Sequence, residues 1–574
     1  MSLSVQETRE RLAELELFQG CEADDLERVA ALARKEVRFA PGERVYEEGD
    51  PARDCYLIVD GEAEVTVAGR FLDEVGEGEA IGELGLLDRG PRTASVVART
   101  PLVVQVIEAD GFDSLLDSAP SVTQALLRQV SRRLRESNER VARLAALADE
   151  TVVRLGADAE GSAPAVSVPR PERLALDTQA PGFFADPYVQ YAALREHEPV
   201  HHDTEQDTWL LTRYDDVLAF GRNKELSVQL EHAKPGPYVD QERERLARME
   251  GRQTKMMFRR DPPDHKRLRR QIYKQFTPKA VRLRRPRLQA LVDQTLNRLA
   301  DKGETDLIEE FAFPLPLAVI SDMLGLPEGD EELIRGWSQA ITKAIDPSLT
   351  EAEAEASIVA SDQMNDYLLK VIGEKRKQPD ENLLSVLIGI ADASDQLSEA
   401  ELVDQLTLLY IAGHETTVNL IGNGMRALLR QPDQLERLRL DAALDANAVE
   451  ELLRYDSPAQ FTRRIAREDL EVQGVVIPAG AVIFACLGSA NRDPRRWGDD
   501  ADRVDVARRG ANEHVSLGGG IHHCLGASLL RLESQVALGA LIRRFPRMEL
   551  ASEPEFLSRM TLRGLTALRL TLGS

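Results

Sequence analysis

Near its amino terminus the chain moves from a helical spacing of apolar residues to short runs in which apolar and polar positions alternate. These are RVYEEG, CYLIVDGEAEVTVAG and RTASVVARTPLVVQVI, punctuated by glycines. A period of two with turn residues at short intervals predicts antiparallel strands closed into a small barrel or roll. From Ser121 to Asp149 the helical period returns, with Leu127, Val130, Leu134, Val141, Leu144 and Ala148 on a heptad seam broken at Ser137. That seam suits either a helix packed on the roll or a homodimer formed through residues 121–149, and the pattern does not choose. Gly156 to Pro181, GADAEGSAPAVSVPRPERLALDTQAP, has little periodicity and much Ala, Pro, Gly and Ser, as a linker does. Beyond it helical spacing dominates, with strand-like runs at WLLTRY, LEVQGVVI and AVIFACL and no simple strand–helix alternation. The expected organisation is multidomain: a β-roll or jelly-roll with flanking helices over residues 1–150, a linker over 151–180, and a mainly α domain with small β-sheets over 181–574.

Bulk properties narrow the function classes. A chain of 574 residues exceeds what one hydrophobic core supports. Its net charge of -25 argues against nucleic acid as a partner, since phosphate binding needs a basic face. No run approaches the roughly 20 apolar residues that span a bilayer. The opening MSLSVQETRERLAELELF is charged and lacks the apolar core of a signal peptide. The four cysteines, Cys21, Cys55, Cys486 and Cys524, are scattered without a C-x-x-C, so a disulfide framework is not expected. A cytoplasmic protein without nucleic-acid or membrane partners is the expectation.

Within the first part, Ile81 to Ala98 reads IGELGLLDRGPRTASVVA. A turn with free N–H groups at a helix start is an anion site. Arg92 has the chemistry to pair a phosphate oxygen, and Glu83 to accept from a sugar hydroxyl, so one ligand carrying both would be a nucleotide. Each residue also fits an ordinary hairpin surface. The stretch resembles the phosphate-binding cassette of cyclic-nucleotide-binding domains, as in the catabolite activator family. Gly-Glu-Leu followed by Pro-Arg-Thr-Ala are both present, and the likeness covers most of residues 10–148. The resemblance implies that Glu83 takes the ribose 2′-OH and Arg92 the cyclic phosphate, with Gly82, Leu84 and Thr93 beside it. Thr93 leaves cyclic AMP and cyclic GMP both open as effectors, with cyclic AMP slightly favoured. The family's transcription factors continue into a helix-turn-helix. Here the linker follows instead, so DNA binding by that route is not expected.

Late in the chain comes LGGGIHHCLG, Leu517 to Gly526. A zinc site would need further ligands from a second cluster, and no other Cys/His pair is near. An inert buried cysteine leaves the glycines unexplained. A haem ligand accounts for them, because glycine lets backbone approach a flat macrocycle. Cys524 precedes the helical run GASLLRLESQVALGALIRRF, whose amino-terminal end favours a thiolate. Residues from about 180 to 574 resemble bacterial cytochromes P450. Gly518, Gly520, His522, Cys524 and Gly526 match the family's haem loop, and Leu517 stands where phenylalanine is usual. The resemblance implies haem b with Cys524 as the axial ligand to iron, and an environment altered by Leu517.

Three further motifs follow the same likeness. In IAGHETT, Ala412 and Gly413 leave room over the haem, and Glu415 and Thr416 form the acid–alcohol pair that delivers protons. Glu451 and Arg454 of EELLRYDSP match the Glu-x-x-Arg clamp, with Arg508 as its third member, assigned to folding and haem retention. His265 and Arg269 of DPPDHKRLRR match propionate contacts, joined by Arg464 and His522, whereas Lys266 and Arg270 point elsewhere.

The resemblances together imply a monooxygenase that inserts one atom of O₂ into a small hydrophobic substrate. The chain carries no flavin or iron–sulfur segment, so electrons are expected from a ferredoxin and ferredoxin reductase. Arg267, Arg270 and Arg531 are the candidate docking cations. Substrate contacts are expected from Leu226–Phe258 and Trp337–Ile358. Two roles remain open for the first domain: a nucleotide sensor that regulates the enzyme, or a dimerisation or docking scaffold. A haem sensor without oxygenase activity is disfavoured by the presence of Glu415 and Thr416.

Overall fold

The computed structural model describes residues 5–14, 21–33, 35–67, 70–83, 86, 90, 92–109, 111–112, 119, 121–122, 170, 174–248, 253–300, 302–327, 329–344, 346, 349–393 and 396–573. The heptad positions from Leu127 to Ala148, most of the expected linker, and Leu84 lie outside them. The chain divides into two compact units, Met1–Ala165 and Val166–Ser574.

In the first unit, helices α1 (Val5–Glu14) and α2 (Ala23–Leu32) precede eight strands. These are β1 (Lys35–Phe39), β2 (Arg44–Tyr46), β3 (Asp54–Asp60), β4 (Ala63–Val67), β5 (Arg70–Val75), β6 (Ala80–Ile81), β7 (Ser95–Ala98) and β8 (Leu102–Glu108). They form two antiparallel sheets of order β1-β8-β3-β6 and β2-β7-β4-β5. The alternation read from the sequence sorts the two faces of β3 and β8. Ile58, Val104 and Val106 pack with Ala63, Val96 and Ala98 between the sheets. Cys55, Leu57 and Ile107 face Leu26, Val29 and Phe112 of the helical layer. A one-residue slip would reverse both faces, so this double burial fixes the register.

The second unit is helical around small sheets. The site-forming helices are α3 (Tyr214–Arg222), α4 (Pro237–Arg248), α5 (Asp264–Tyr273), α6 (Glu351–Lys377), α7 (Glu399–Leu429), α8 (Asp445–Tyr455) and α9 (Ala527–Arg544). Strands β9 (Val200–Asp203), β10 (Thr208–Leu211), β11 (Leu226–Ser227), β12 (Glu304–Asp306), β13 (Phe461–Ala466), β14 (Leu470–Val472), β15 (Val475–Ile477), β16 (Val482–Cys486), β17 (Arg547–Leu550) and β18 (Arg569–Gly573) form three sheets. Their orders are β11-β13-β16-β10-β9, β12-β18-β17 and β14-β15.

Helix α7 organises this unit. It starts at a capping box, where Ser398 Oγ accepts from Glu401 N at 3.2 Å and Glu401 Oε2 accepts from Ser398 N at 2.8 Å. It is buried nearly all round, and its buried polar residues hold the chain beside it. Asp404 accepts from Gln253 N and Lys255 N at 3.0 and 2.9 Å, and Gln405 Oε1 from Met257 N at 2.9 Å. No helix among the described residues is long and apolar enough to cross a membrane.

Candidate active site

Cys524 lies two residues before the cap of α9, and its N–H donates to Leu517 O at 2.9 Å, closing the loop. Leu517 is buried in the main core. The glycines of this loop serve more than one purpose. Gly518 and Gly520 have φ of 68° and 61°, which side-chain-bearing residues rarely adopt. A Cβ on Gly520 would stand 2.6 Å from Gly221 O of α3, and one on Gly519 would meet the same residue at 3.3 Å. Close helix packing, rather than approach to a macrocycle alone, therefore sets this glycine run. Gly526 borders the cysteine, where a Cβ would lie 4.0 Å from Sγ.

Burial pushes the Cys524 thiol up, opposed by the Gly526 N–H and by the charges of Arg269 and Arg531. The helix end therefore does not hold a thiolate unaided. A coordinated metal cation does, since a ligating thiol is deprotonated outright.

Beside this loop four basic side chains converge: His265 and Arg269 from α5, Arg464 from β13, and His522. The His265 and His522 rings lie 4.3 Å apart. Burial, then Arg464 and His265, push His522 down to about 3, and burial takes Arg464 to about 10. His522 Nε2 is buried without a hydrogen-bond partner. Arg269 Nη2 donates to His523 O at 2.8 Å, and Arg464 Nη1 to Arg463 O at 2.7 Å. These bases disfavour one another's charge, Asp261 is the carboxylate that acts on His265, Arg464 and His522, and His522 Nε2 is buried without a partner, so the cluster suits further anionic groups. A haem supplies two carboxylates and a thiolate-binding iron, so the residues present fit that group.

In the middle of α7, Ala412 is exposed and Gly413 partly so, between buried neighbours. A Cβ on Gly413 would meet the Ile320 side chain at 2.9 Å. Thr416 Oγ1 donates to Ala412 O at 3.3 Å. Glu415 is buried, and Arg559 Nη1 donates to its Oε1 at 2.6 Å. His414, fully buried, lies 3.8 Å from the other oxygen. Arg559 is 144 positions away in an irregular segment, where no sequence pattern points to it. Thr417 donates to Glu533 of α9 at 3.2 Å, and burial pushes that carboxyl well up.

Under the loop, Glu451, Arg454 and Arg508 meet in one buried cluster. The adjacent Glu450 accepts from Arg531 Nε and Nη2 at 2.6 and 2.8 Å and lies 3.2 Å from His514 Nε2. Burial opposes its charge, but the His514 and Arg531 hydrogen bonds and the Arg531 charge outweigh it and hold Glu450 down at about 2. A depressed carboxyl contributes stability above its ordinary value of 4.5 and loses it as pH falls through about 2. Between those limits Glu450→Gln is expected to show a flatter fall in stability than the parent, as thermal unfolding at stepped acid pH would measure. Equal slopes would remove Glu450 from acid unfolding.

Of the three candidate docking cations, Arg267 is paired with Glu401 and Asp264, and Arg531 with Glu450. Arg270 Nη2 donates to Gln396 Oε1 at 3.2 Å. Two of the three thus have carboxylate partners, of which Glu401 and Glu450 are distant in sequence and Asp264 is local.

In the first unit, Gly82 has φ of 82°, and a Cβ there would run into the Arg92 guanidinium. Arg92 is 4% exposed, donates from Nη1 to Gly82 O at 3.0 Å, and lies 4.2 Å over the Tyr46 ring. Its Nε is buried without a partner, and no carboxylate pairs it among the described residues. Its backbone is fixed by Arg92 N donating to Asp50 O and Gly49 N to Arg92 O, at 2.8 and 2.9 Å. Glu83 is buried and Thr93 exposed. Tyr46, stacked on Tyr56 at 5.9 Å, is the residue that the cassette motif does not announce.

Comparison with known proteins agrees in both units. The profile described as Cytochrome P450 matches residues 232–566, and that described as Cyclic nucleotide-binding domain matches residues 36–119. Cytochrome P450 107B1 of Saccharopolyspora erythraea is 41% identical, aligning over 70% of this chain and 98% of its own length. Vitamin D(3) 25-hydroxylase of Pseudonocardia autotrophica is 39% identical over 68% of this chain and 95% of its own. The crystal structure of myxobacterial cytochrome P450 CYP267B1 in complex with myristic acid superposes with a TM-score of 0.64 at 35% identity, covering 69% of this chain and 98% of that one. The chain belongs to the cytochrome P450 family: it is a haem-dependent monooxygenase that carries a cyclic nucleotide-binding domain in its amino-terminal part.

Proposed function

We propose that Cys524 is the axial ligand to haem iron, that His265, Arg269, Arg464 and His522 hold the propionates, and that a cyclic nucleotide on the first domain regulates turnover. The observation that carries the cofactor assignment is the convergence of four mutually unfavourable bases, one with an orphaned nitrogen, beside a partly buried cysteine. When bound, haem with a thiolate ligand supplies oxygen activation, one atom of O₂ entering the substrate and the other leaving as water. The protein's own part is to shape the pocket and move protons. Ala412 keeps the α7 face low, and Gly413 lets α7 pack closely on Ile320. Thr416 keeps its hydroxyl on the Ala412 carbonyl, with its lone pairs available to a donor. Glu415 holds its carboxylate on Arg559, and delivering a proton from it requires loosening that pair. The Glu451, Arg454 and Arg508 cluster holds the chain leading into the cysteine loop. Electrons come from a separate ferredoxin and reductase, and the substrate is a small, largely apolar molecule.

The first unit is read as a sensor of the catabolite activator type, with Gly82, Glu83, Leu84, Arg92 and Thr93 around the nucleotide. Support comes from Arg92, a buried guanidinium with an unpartnered Nε and no ion pair to a carboxylate among the described residues, which suits a phosphate. Regulation then requires nucleotide affinity to differ between the enzyme's two states. Calorimetric titration of holoprotein with cyclic AMP and cyclic GMP tests this. Saturable binding is expected, weakened at least about 30-fold in Arg92→Ala, which corresponds to the ~2 kcal/mol lower end for truncating a buried charge-pair partner. Binding of neither nucleotide would leave the scaffold reading, in which this unit dimerises or docks the enzyme.

A further inference from the structure

A cavity of about 390 Å³ opens beside Arg464. Its walls come from α4, the Phe258–Arg259 turn, the chain from Ala344 into the start of α6, and strand β13, with Phe484 and Thr561. Part of the lining is apolar: Val228, Phe258, Leu349, Phe461 and Phe484. The rest departs from what a purely hydrophobic substrate needs.

Among the described residues, Arg259 and Arg463 on this lining have one carboxylate within reach, Glu242, and that carboxylate is already held by Arg245. Glu242 accepts from Arg245 at 2.7 Å and from Arg259 at 3.3 Å, and Arg463 lies 3.9 Å away. The four side chains are only 11–19% exposed. Among the described residues the other lining acids are engaged elsewhere or exposed. Asp346 is occupied by the backbone N–H groups of Met560 and Thr561, and Glu351 by Arg248. Glu244 is exposed. Tyr238 accepts from Arg463 at 2.8 Å, but burial raises its phenol, so it brings no charge. Arg259 Nε is buried without a partner, and burial lowers that guanidinium's own pKa. Half-buried guanidinium groups that reach only a carboxylate already held by another arginine suit an incoming anion.

We propose that this cavity takes its substrate as an apolar body bearing one carboxylate, whose oxygens are held by Arg259 and Arg463. The inference rests on reading the chain as a monooxygenase with its substrate cavity here. It narrows that substrate from hydrophobic to amphipathic and anionic, with the apolar part against Phe258, Phe461 and Phe484.

Decanoic acid and 1-decanol share a chain and differ in charge, so they separate the two kinds of contact. Equilibrium dialysis against holoprotein near neutral pH is expected to show the acid binding tighter by on the order of 10- to 30-fold, the scale of a charge-assisted bidentate contact. In Arg259→Gln/Arg463→Gln that gap is expected to close, with affinity for the alcohol unchanged. Glu242→Gln removes the internal competitor and is expected to tighten the acid alone, which keeps the test informative if the double variant folds poorly. Equal affinities in the parent, a gap that survives in the double variant, or no gain in Glu242→Gln would each overturn the proposal. The reduced carbon monoxide difference band, recorded on the same samples, tests the haem-thiolate reading separately, because dialysis does not depend on it.

Discussion

Cys524→Ser is expected to abolish turnover while leaving the fold in place. The residue sits in a loop whose shape does not depend on its sulfur. Leu517 O accepts the Cys524 N–H, and left-handed Gly518 and Gly520 turn the chain against Gly221. Serine keeps the backbone bond and nearly the same volume. It removes the only group here able to ligate iron as a thiolate, whose electron donation favours O–O cleavage. Turnover should fall at least about 10³-fold, as when one member of a single reacting unit is lost. The reduced carbon monoxide difference band should shift away from that of a thiolate-ligated haem. Cys486→Ala is the matched control. Cys486 is fully buried, and burial pushes its thiol up to about 12, so it stays protonated and unreactive. Its removal should leave the band intact. A retained thiolate band in Cys524→Ser would sink the assignment of the ligand.

What could be read from the sequence was whatever lies close in the chain or repeats with a short period. The alternation of β3 and β8 sorted residues onto two faces because side chains on a strand alternate. Glu451 and Arg454 are three residues apart on α8, near enough for the pair to be inferred. His265 and Arg269 share one face of α5 for the same reason. The partners that set charge and proton chemistry lie far off in sequence. Arg559 reaches Glu415 across 144 positions, and Arg531 reaches Glu450 across 81. Nothing local in SRMTLRG or EELLRY encodes those meetings. Glu401 and Glu450, which pair the candidate docking cations Arg267 and Arg531, lie on other helices, whereas Asp264 is three residues before Arg267 on α5. The three-arginine cluster on Glu242 was equally invisible, because Arg463 arrives from β13 and Arg259 from a separate turn. The glycine run carries a second reason that the sequence does not show, because Gly519 and Gly520 also pack against Gly221.

The second large effect is expected from the clamp beneath the cysteine loop. Glu451 and Arg454 are both fully buried. Glu451 Oε2 accepts from Arg454 Nε at 2.7 Å, and Oε1 accepts from Arg454 Nη2, Asp505 N and Arg508 Nε at 2.8, 2.9 and 3.0 Å. Arg454 gives its remaining hydrogens to the carbonyls of Asn491 at 2.8 Å, Ala501 at 2.7 Å and Arg503 at 2.8 Å. All five guanidinium donors are used, so the pair fastens α8 to the irregular chain leading into the cysteine loop. Glu451→Gln keeps the shape but cancels the charge and points an N–H₂ at donors. Breaking a buried pair from one side costs about 3–5 kcal/mol, a large share of the about 5–15 kcal/mol that holds a typical domain folded. Arg454→Lys preserves the charge yet offers three donors in place of five, so it should also fail to hold the three carbonyls. Both variants are expected to unfold at markedly lower temperature or denaturant and to accumulate mainly without haem. A loss below about 1 kcal/mol in either variant would show that water replaces the missing contacts, and the cluster would then not be what fixes the loop.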